Sequence, residues 1–311
     1  MKRKIALVVA ILMLCVGAQV NAAGYPDRPI DLIVPWGAGG GADQLGRAIG
    51  TALEKELKVS LPVINVPGAI AGVGLAKVKA ARPDGYTISV ITADSTGADS
   101  QGKLAVHLDE FTFLSRLMLA PSFLLAQYNG PFKTFDDLIA YTKKNPGKVK
   151  VAITGAGSAD DLTVKYLSDN GIEMITVPYP KPGERYASVL GKHNDLLYEQ
   201  AGDVAQFIMA KQMRPIVIFH PKRVDSFPDV PSIKEYGMEI YLPQYRGLLT
   251  NKGVPQDRLD TLVKAVKAAY DKPPYQQFLK KMYCEPDSFM GQKEYTDFVM
   301  NDIADYKKLW K

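Results

Sequence analysis

The chain has 311 residues, 47% of them hydrophobic, and carries 38 Lys and Arg against 33 Asp and Glu, for a formal net charge of +5. That length and apolar content suffice for two cored lobes. A charge so balanced, with no dense basic cluster, argues against nucleic acid or an anionic membrane surface as a partner.

In chain order, Lys2, Arg3 and Lys4 precede an apolar run over residues 5–16, too short for a comfortable membrane span. Val20, Asn21 and Ala22 then supply small residues at the offsets a signal peptidase reads, so residues 1–22 are expected to be a signal peptide cleaved before Ala23, with a periplasmic mature chain. Lipidation at Cys15 and an uncleaved anchor are the alternatives; Leu14 stands where a small residue would precede a lipidated cysteine. Cleavage leaves 35 basic against 33 acidic side chains, near +2, and Cys284 alone, so no intrachain disulfide supports the fold. His107, His193 and His220 share no ligand-like spacing with one another or with Cys284, and no metal site is expected.

Strand and helix signals alternate along the mature chain. Residues 30–34 read as a strand, and Leu45, Ile49, Leu53 and Leu57 then recur every fourth residue as one helix face. Residues 63–66 form a second strand, a glycine-rich helix follows and stops at Pro83-Asp84-Gly85, and 87–92 form a third strand. Residues 93–96 are expected to be a loop at the carboxyl edge of the sheet, with Ser95 and Thr96 either donors to a ligand or ordinary turn residues. Residues 117–127 read as one extended apolar segment; a helix opened by Thr134 and closed by Pro146-Gly147 comes next, then a strand at 149–154. A second glycine-bearing loop leads to a helix at 162–167. Strands follow at 174–178, 195–199 and 215–219, then helices over 257–270 and 294–310. This β-loop-helix rhythm predicts parallel strands with helices on their faces. The two glycine loops, near residues 38 and 156, stand at equivalent points of two similar halves.

Trp36, Gly37, Ala38, Gly39, Gly40 and Gly41 run from the first strand into the first helix. Gly37, Gly39 and Ala42 satisfy G-x-G-x-x-[GA], but the next strand ends in Asn65 where a dinucleotide site needs an acid, and Pro35 interrupts the turn. No cofactor is expected. A carboxylate fits better: glycines let the main chain approach it, and helix-start N–H groups hold it without a buried lysine. Asp43 reads as a first-turn acid that favours the helix start, and an unoccupied tight turn is the plain alternative.

The segments "YPDRPIDLIVPWGAGGGAD", "VINVPGAIAGVGLAKVKAARPDGYTI", "ITGAGSADDL", "VPY" and "FPDVPSIKEYG" follow one another in order. In this they closely resemble the Bug family, the extracytoplasmic solute receptors of tripartite tricarboxylate transporters, from Tyr25 to the C-terminus. The resemblance implies an α/β, two-lobed periplasmic binding protein of type 2, with mixed sheets flanked by helices and a ligand cleft between the lobes. The expected lobes are residues 23–120 with 240–311, and residues 121–239. One loop from each lobe would pinch a ligand carboxylate; by position these are residues 35–41 and 155–159, which include Gly155, Ala156, Gly157 and Ser158. The chain departs from the family pattern at Ala38, where proline is usual, at Asp161, where histidine is frequent, and at Tyr245, where tryptophan is common.

Ser158 reads as a hydroxyl donor to the carboxylate or as a helix cap. Asp160 and Asp161 read as acids facing helix N–H groups and solvent. Tyr179 lines the cleft or the surface. Glu199 and Asp203, in the region the family turns to the cleft, accept a ligand hydroxyl or ammonium or close an interlobe salt bridge. Arg246 offers a planar fork for a second carboxylate, or is a solvated arginine on a loop.

The expected function is capture of a small organic di- or tricarboxylate for membrane permease subunits, by a monomer that is not an enzyme. No catalytic motif accompanies the site. A ligand sensor for a signalling partner, a binder of aromatic diacids held between Trp36 and Tyr179 or Tyr245, and a periplasmic enzyme acting on organic acids are the alternatives.

Overall fold

The computed structural model describes residues 24–309. The expected signal peptide and the predicted end of the last helix at Trp310 lie outside the described residues. No described helix is long and apolar enough to cross a membrane.

Two five-stranded mixed sheets organise the chain. The first contains β1 (Asp31–Val34), β2 (Val63–Asn65), β3 (Thr87–Thr92), β4 (Phe111–Ala120) and β10 (Gln244–Asn251), in the order β2-β1-β3-β10-β4. The second contains β5 (Ser122–Gln127), β6 (Val149–Ile153), β7 (Met174–Pro178), β8 (Leu196–Glu199) and β9 (Met213–Phe219), in the order β7-β6-β8-β5-β9. In each sheet three strands run parallel and the fourth position is antiparallel to both neighbours. That fourth strand always arrives from the other half of the molecule. The chain crosses at Pro121, so the extended segment predicted over 117–127 is two strands in two sheets; it crosses back before β10.

The first half carries α1 (Gly41–Leu57), α2 (Gly72–Ala80) and α3 (Ala93–Ser100). The second carries α4 (Phe135–Lys144), α5 (Ala159–Asp169), α6 (Pro182–Leu190) and the short α7 (Ala205–Met209). Helices α8 (Gln256–Tyr270), α9 (Pro273–Lys281) and α10 (Gln292–Leu309) close the chain. Leu32, Ile33 and Val34 are fully buried, as strands covered on both faces require. Leu45, Ile49, Leu53 and Leu57 form the buried face of α1, and Lys58 ends it in the left-handed conformation. Thr134 caps α4, its hydroxyl accepting from the Asp137 N–H at 3.2 Å. One apolar core serves the first sheet, and separate cores cover the two faces of the second.

Residues 93–96 are not the loop the sequence predicts. Helix α3 begins directly after β3, because Ala93, Ala98 and the small Gly97 pack tightly enough to turn the chain at once. Strand β10 has no counterpart among the predicted elements, which pass from the strand at 215–219 to the helix at 257–270.

Candidate functional site

In each sheet the strand order reverses beside the first parallel strand, at β1 and β3 in one and at β6 and β8 in the other. Open α/β sheets bind ligands at the carboxyl ends of strands at such a point. Here both switch points open on one narrow cleft, with about 40 Å³ of free space inside it. Trp36, Gly40, Gly41, Ala42, Thr92, Asp94, Gln244 and Arg246 line it from the first sheet. Thr154, Asp160, Arg185, Glu199, Gln200 and Asp203 face them from the second, with Pro180 and Pro182.

Gly41 opens α1 flat against the opposite lobe. A methyl group there would overlap the Arg246 guanidinium and the Asp203 carboxylate. At Gly40 a methyl would strike the Pro182 ring. The two lobes therefore meet at the first glycine loop, and the molecule is closed.

The loops are not bare. Asp43 accepts from the Gly39 N–H at 3.0 Å and from Asn65 Nδ2 at 3.0 Å, and Asn65 also donates to the Trp36 carbonyl at 3.0 Å. Asp161 accepts from the Gly157 N–H at 2.9 Å. Each glycine loop is thus closed by an acid four residues on, at the positive end of its own helix. The expectation for Asp43 holds in this form. Asn65, out of place for a dinucleotide, instead ties the loop to the next strand.

Two arginines enter the cleft, both nearly inaccessible to solvent. Arg246 stands on β10, so the alternative of a solvated loop arginine is overturned. Its Nη1 donates to Asp203 Oδ1 at 3.0 Å, and its Nη2 donates to Asp203 Oδ2 and, at 2.9 Å, to Gln200 Oε1. Burial opposes the guanidinium charge, but Asp203 outweighs it and holds the Arg246 pKa above its ordinary value. Burial pushes the Asp203 carboxyl up to about 6, against the pull of Arg246, so the pair is ionic at neutral pH. Arg185, one turn into α6, donates Nη2 to Glu199 and Nη1 to the Thr154 hydroxyl, while the Tyr186 hydroxyl donates to Glu199 Oε2 at 3.0 Å.

Two further carboxyls have no cationic partner in direct contact. Asp94, second residue of α3, accepts from Gln244 Nε2 at 2.9 Å. Asp160, second residue of α5, accepts from the Thr154 N–H at 2.6 Å. Asp160 is 2% exposed, so the reading that sent it to solvent is corrected: it caps the loop after β6 inside the cleft. Burial foremost, then Asp160, pushes Asp94 up to about 8, with Gln244 pulling the other way; burial also raises Asp160.

Of the residues singled out in the sequence, Trp36, Gly40, Gly41, Asp160, Glu199, Asp203 and Arg246 line the cleft. Gly37, Ala38 and Gly39 complete the turn beneath them, Gly39 at φ +84°. Gly155, Ala156, Gly157 and Ser158 lie beside the cleft. There the Gly157 carbonyl accepts from Gln101 Nε2 at 2.7 Å and the Ala156 carbonyl from Lys103 Nζ at 3.1 Å, tying this loop to the first lobe. Ser158 acts as the helix cap, accepting from the Asp161 N–H at 3.4 Å and donating to the Gly155 carbonyl at 2.8 Å. Ser95 is fully buried with an unpartnered hydroxyl, and Thr96 pairs with the Tyr245 hydroxyl. Tyr179 accepts from Asn194 Nδ2 at 2.9 Å. Neither Tyr179 nor Tyr245 lines the cleft; the aromatic that the second sheet contributes to its lining is Tyr198, on β8. Sequence reasoning missed Thr92, Thr154, Arg185, Gln200 and Gln244. For Arg185 a signal exists: "KPGERY" places proline at the first position of a helix, with the arginine at its fourth residue.

Residues 45–311 match the family model described as tripartite tricarboxylate transporter family receptor. A UPF0065 protein of Cupriavidus necator, from the gbd 5' region, is 28% identical over 294 residues, which cover 94% of this chain and 89% of the relative. The structure of the periplasmic binding protein BugD superposes with a TM-score of 0.84 at 26% identity, covering 92% of this chain and 97% of BugD. MatC from Rhodopseudomonas palustris with bound malate has the same fold, with a TM-score of 0.84 at 24% identity over 92% of this chain and all of that one. With two mixed sheets closing on one polar cleft and this match over most of its length, the chain belongs to the tripartite tricarboxylate transporter receptor family, the periplasmic solute-binding receptors that include the Bug proteins.

Proposed function

We propose that this chain is an exported receptor that captures a small organic di- or tricarboxylate and hands it to the membrane permease subunits of a tripartite tricarboxylate transporter. One observation carries the reading. The cleft presents buried hydrogen-bond donors with no partner, Trp36 Nε1 and Arg185 Nε, beside Gly41 and Ala42 at the start of a 17-residue helix. Unpaired buried donors cost stability, and an acceptor with negative charge satisfies them.

Family membership supports the transport role, and the malate in MatC supports a carboxylate ligand on this fold. Export rests on the basic start and apolar run of residues 1–22. We assign residues 23–120 with 240–311 to one lobe and 121–239 to the other, in keeping with the strands each sheet contains. Ligand contacts made by both lobes at once favour the closed form over the open one, which is the state a permease reads.

Calorimetric titration of the mature protein with malate, succinate and citrate tests the reading. Saturable binding of at least one acid is expected. Heat with uncharged solutes alone, and none with any acid, overturns it.

A further inference from the structure

The last helix belongs to one lobe by most of its packing and reaches the other with its end. Tyr295, Val299 and Ile303 of α10 recur every fourth residue and are buried in the core of the first sheet. Asp302 accepts from the Tyr245 hydroxyl at 2.8 Å, and that hydroxyl also pairs with Thr96, so α10 is fastened to β10 and α3. Tyr306 is 2% exposed, yet it stands outside that core. It packs instead with Ala159 and Leu162 of α5, in the second lobe, and with Leu242 in the segment that returns to β10.

Both lobes meet at this ring. A methyl group on Gly97 of α3 would press on the Gly157 carbonyl of the second lobe at 3.1 Å and touch the Tyr306 ring at 3.5 Å. Burial foremost, then the charges of Asp302, Asp94 and Asp160, holds the Tyr306 hydroxyl well above its ordinary pKa, which places it close to the first turns of α3 and α5. Tyr306 does not line the cleft. It acts on the site through the helices it holds.

We infer that Tyr306 is a positioning residue for capture, setting the angle at which the lobes close, with α10 as a strap across their boundary. The chain itself passes between the lobes twice, at Pro121 and before β10, and such crossings leave two lobes free to hinge. Helix α10 makes a third connection, by packing alone. Asp302 and Tyr306 are four residues apart, so the helix passes from one lobe to the other within about one turn. Opening the cleft draws α5 away from the ring and exposes Tyr306, Ala159 and Leu162 to water; closing it buries them again. The contact therefore favours the closed form whichever acid the cleft holds.

The test reads the distance between the lobes by pulsed electron resonance, from spin labels at Lys77→Cys on α2 and Lys143→Cys on α4, both exposed, with Cys284→Ser in every sample. The mature protein is measured alone and with malate, succinate and citrate. Tyr306→Ala is expected to lower the ratio of closed to open molecules by about tenfold, while Tyr306→Phe, which keeps the ring, leaves it unchanged. Leu162→Ala removes the same contact from the other lobe and should act as Tyr306→Ala does. Circular dichroism melts establish that each variant folds, and either folded variant suffices. Each is repeated with Asp203→Ala, which weakens the interlobe ion pair so that a change in the ratio is read directly. Unchanged distances in a folded Tyr306→Ala or Leu162→Ala protein in both backgrounds, or a Tyr306→Phe protein that opens as far as Tyr306→Ala, overturns the strap. So do labels that never approach one another in the wild type. Should none of the three acids bind, the receptor reading falls, and the distances without ligand still decide the strap.

Discussion

Two arginine–carboxylate pairs lie in one cleft, equally buried, and differ in what they join. Arg185 and Glu199 both belong to the second sheet and its helix, fourteen residues apart in sequence. Arg246 stands on β10 of the first sheet, and its partner Asp203 follows β8 of the second. The first pair forms whenever the second lobe folds. The second can form only when the lobes meet, and it closes against the backbone of Gly41. Similar chemistry thus serves rigidity in one place and closure in the other.

Removing one partner of each pair should separate these roles and gives the largest effect. Arg185→Ala leaves Glu199 charged inside a folded lobe, and should cost about 3–5 kcal/mol in denaturant unfolding. Asp203→Ala should cost at most about 1 kcal/mol, because opening the cleft returns Arg246 to water, yet it should weaken ligand binding in calorimetry. Equal losses of stability from both would show that the interlobe pair is as structural as the other.

Gly41→Ala sharpens the comparison by touching only the closed form. Its methyl group competes for the space of the Arg246–Asp203 pair, a clash of overpacking size, about 1–3 kcal/mol. Ligand affinity should fall by about tenfold to a hundredfold, with little change in melting temperature. An unchanged affinity would mean that closure does not bring Gly41 onto the pair.

The smallest effect is in the pH dependence. Asp94, pushed up to about 8 mainly by burial, faces Asp160, Glu199 and Arg185 as well as Gln244. A folded pKa above the unfolded value near 4 means that the native state holds a proton the unfolded chain has released. The stability this group contributes is complete below about pH 4 and is lost as pH rises through about 8. Asp203, pushed up to about 6, and Asp302, pushed up to about 7, act with the same sign. The melting temperature of the ligand-free protein should therefore fall between pH 5 and pH 8.5. Asp94→Asn should flatten the upper part of that slope and leave the part set by Asp203. A profile unchanged in the variant would take Asp94 out of the account.

Much of the fold is legible in the sequence because its signals are local. Leu45, Ile49, Leu53 and Leu57 mark α1 by spacing, Thr134 and Ser158 cap the helices that follow them, and both glycine loops stand where a strand meets a helix. Strand β10 was missed because its partners, β3 and β4, lie far upstream, so no hairpin or helix repeat announces it. The sequence predicts a loop where α3 forms because Asp94, Ser95, Thr96 and Gly97 all favour turns, and burial overrides that preference. In the site, the glycine loop, Asp203 and Arg246 were visible as residues, but their partnership was not.

The alternation of strand and helix, the backbone-exposing loops and the arginines and acids on offer follow from the order of residues alone. Which acid meets which arginine was settled only by the folded chain. Arg246 and Asp203 are 43 residues apart, and Gln244 and Asp94 are 150 apart. Caps and amphipathic faces arise within a turn or two of chain. The balance of charge in the cleft depends on two sheets brought face to face, and a buried charge is defined by its neighbours in space.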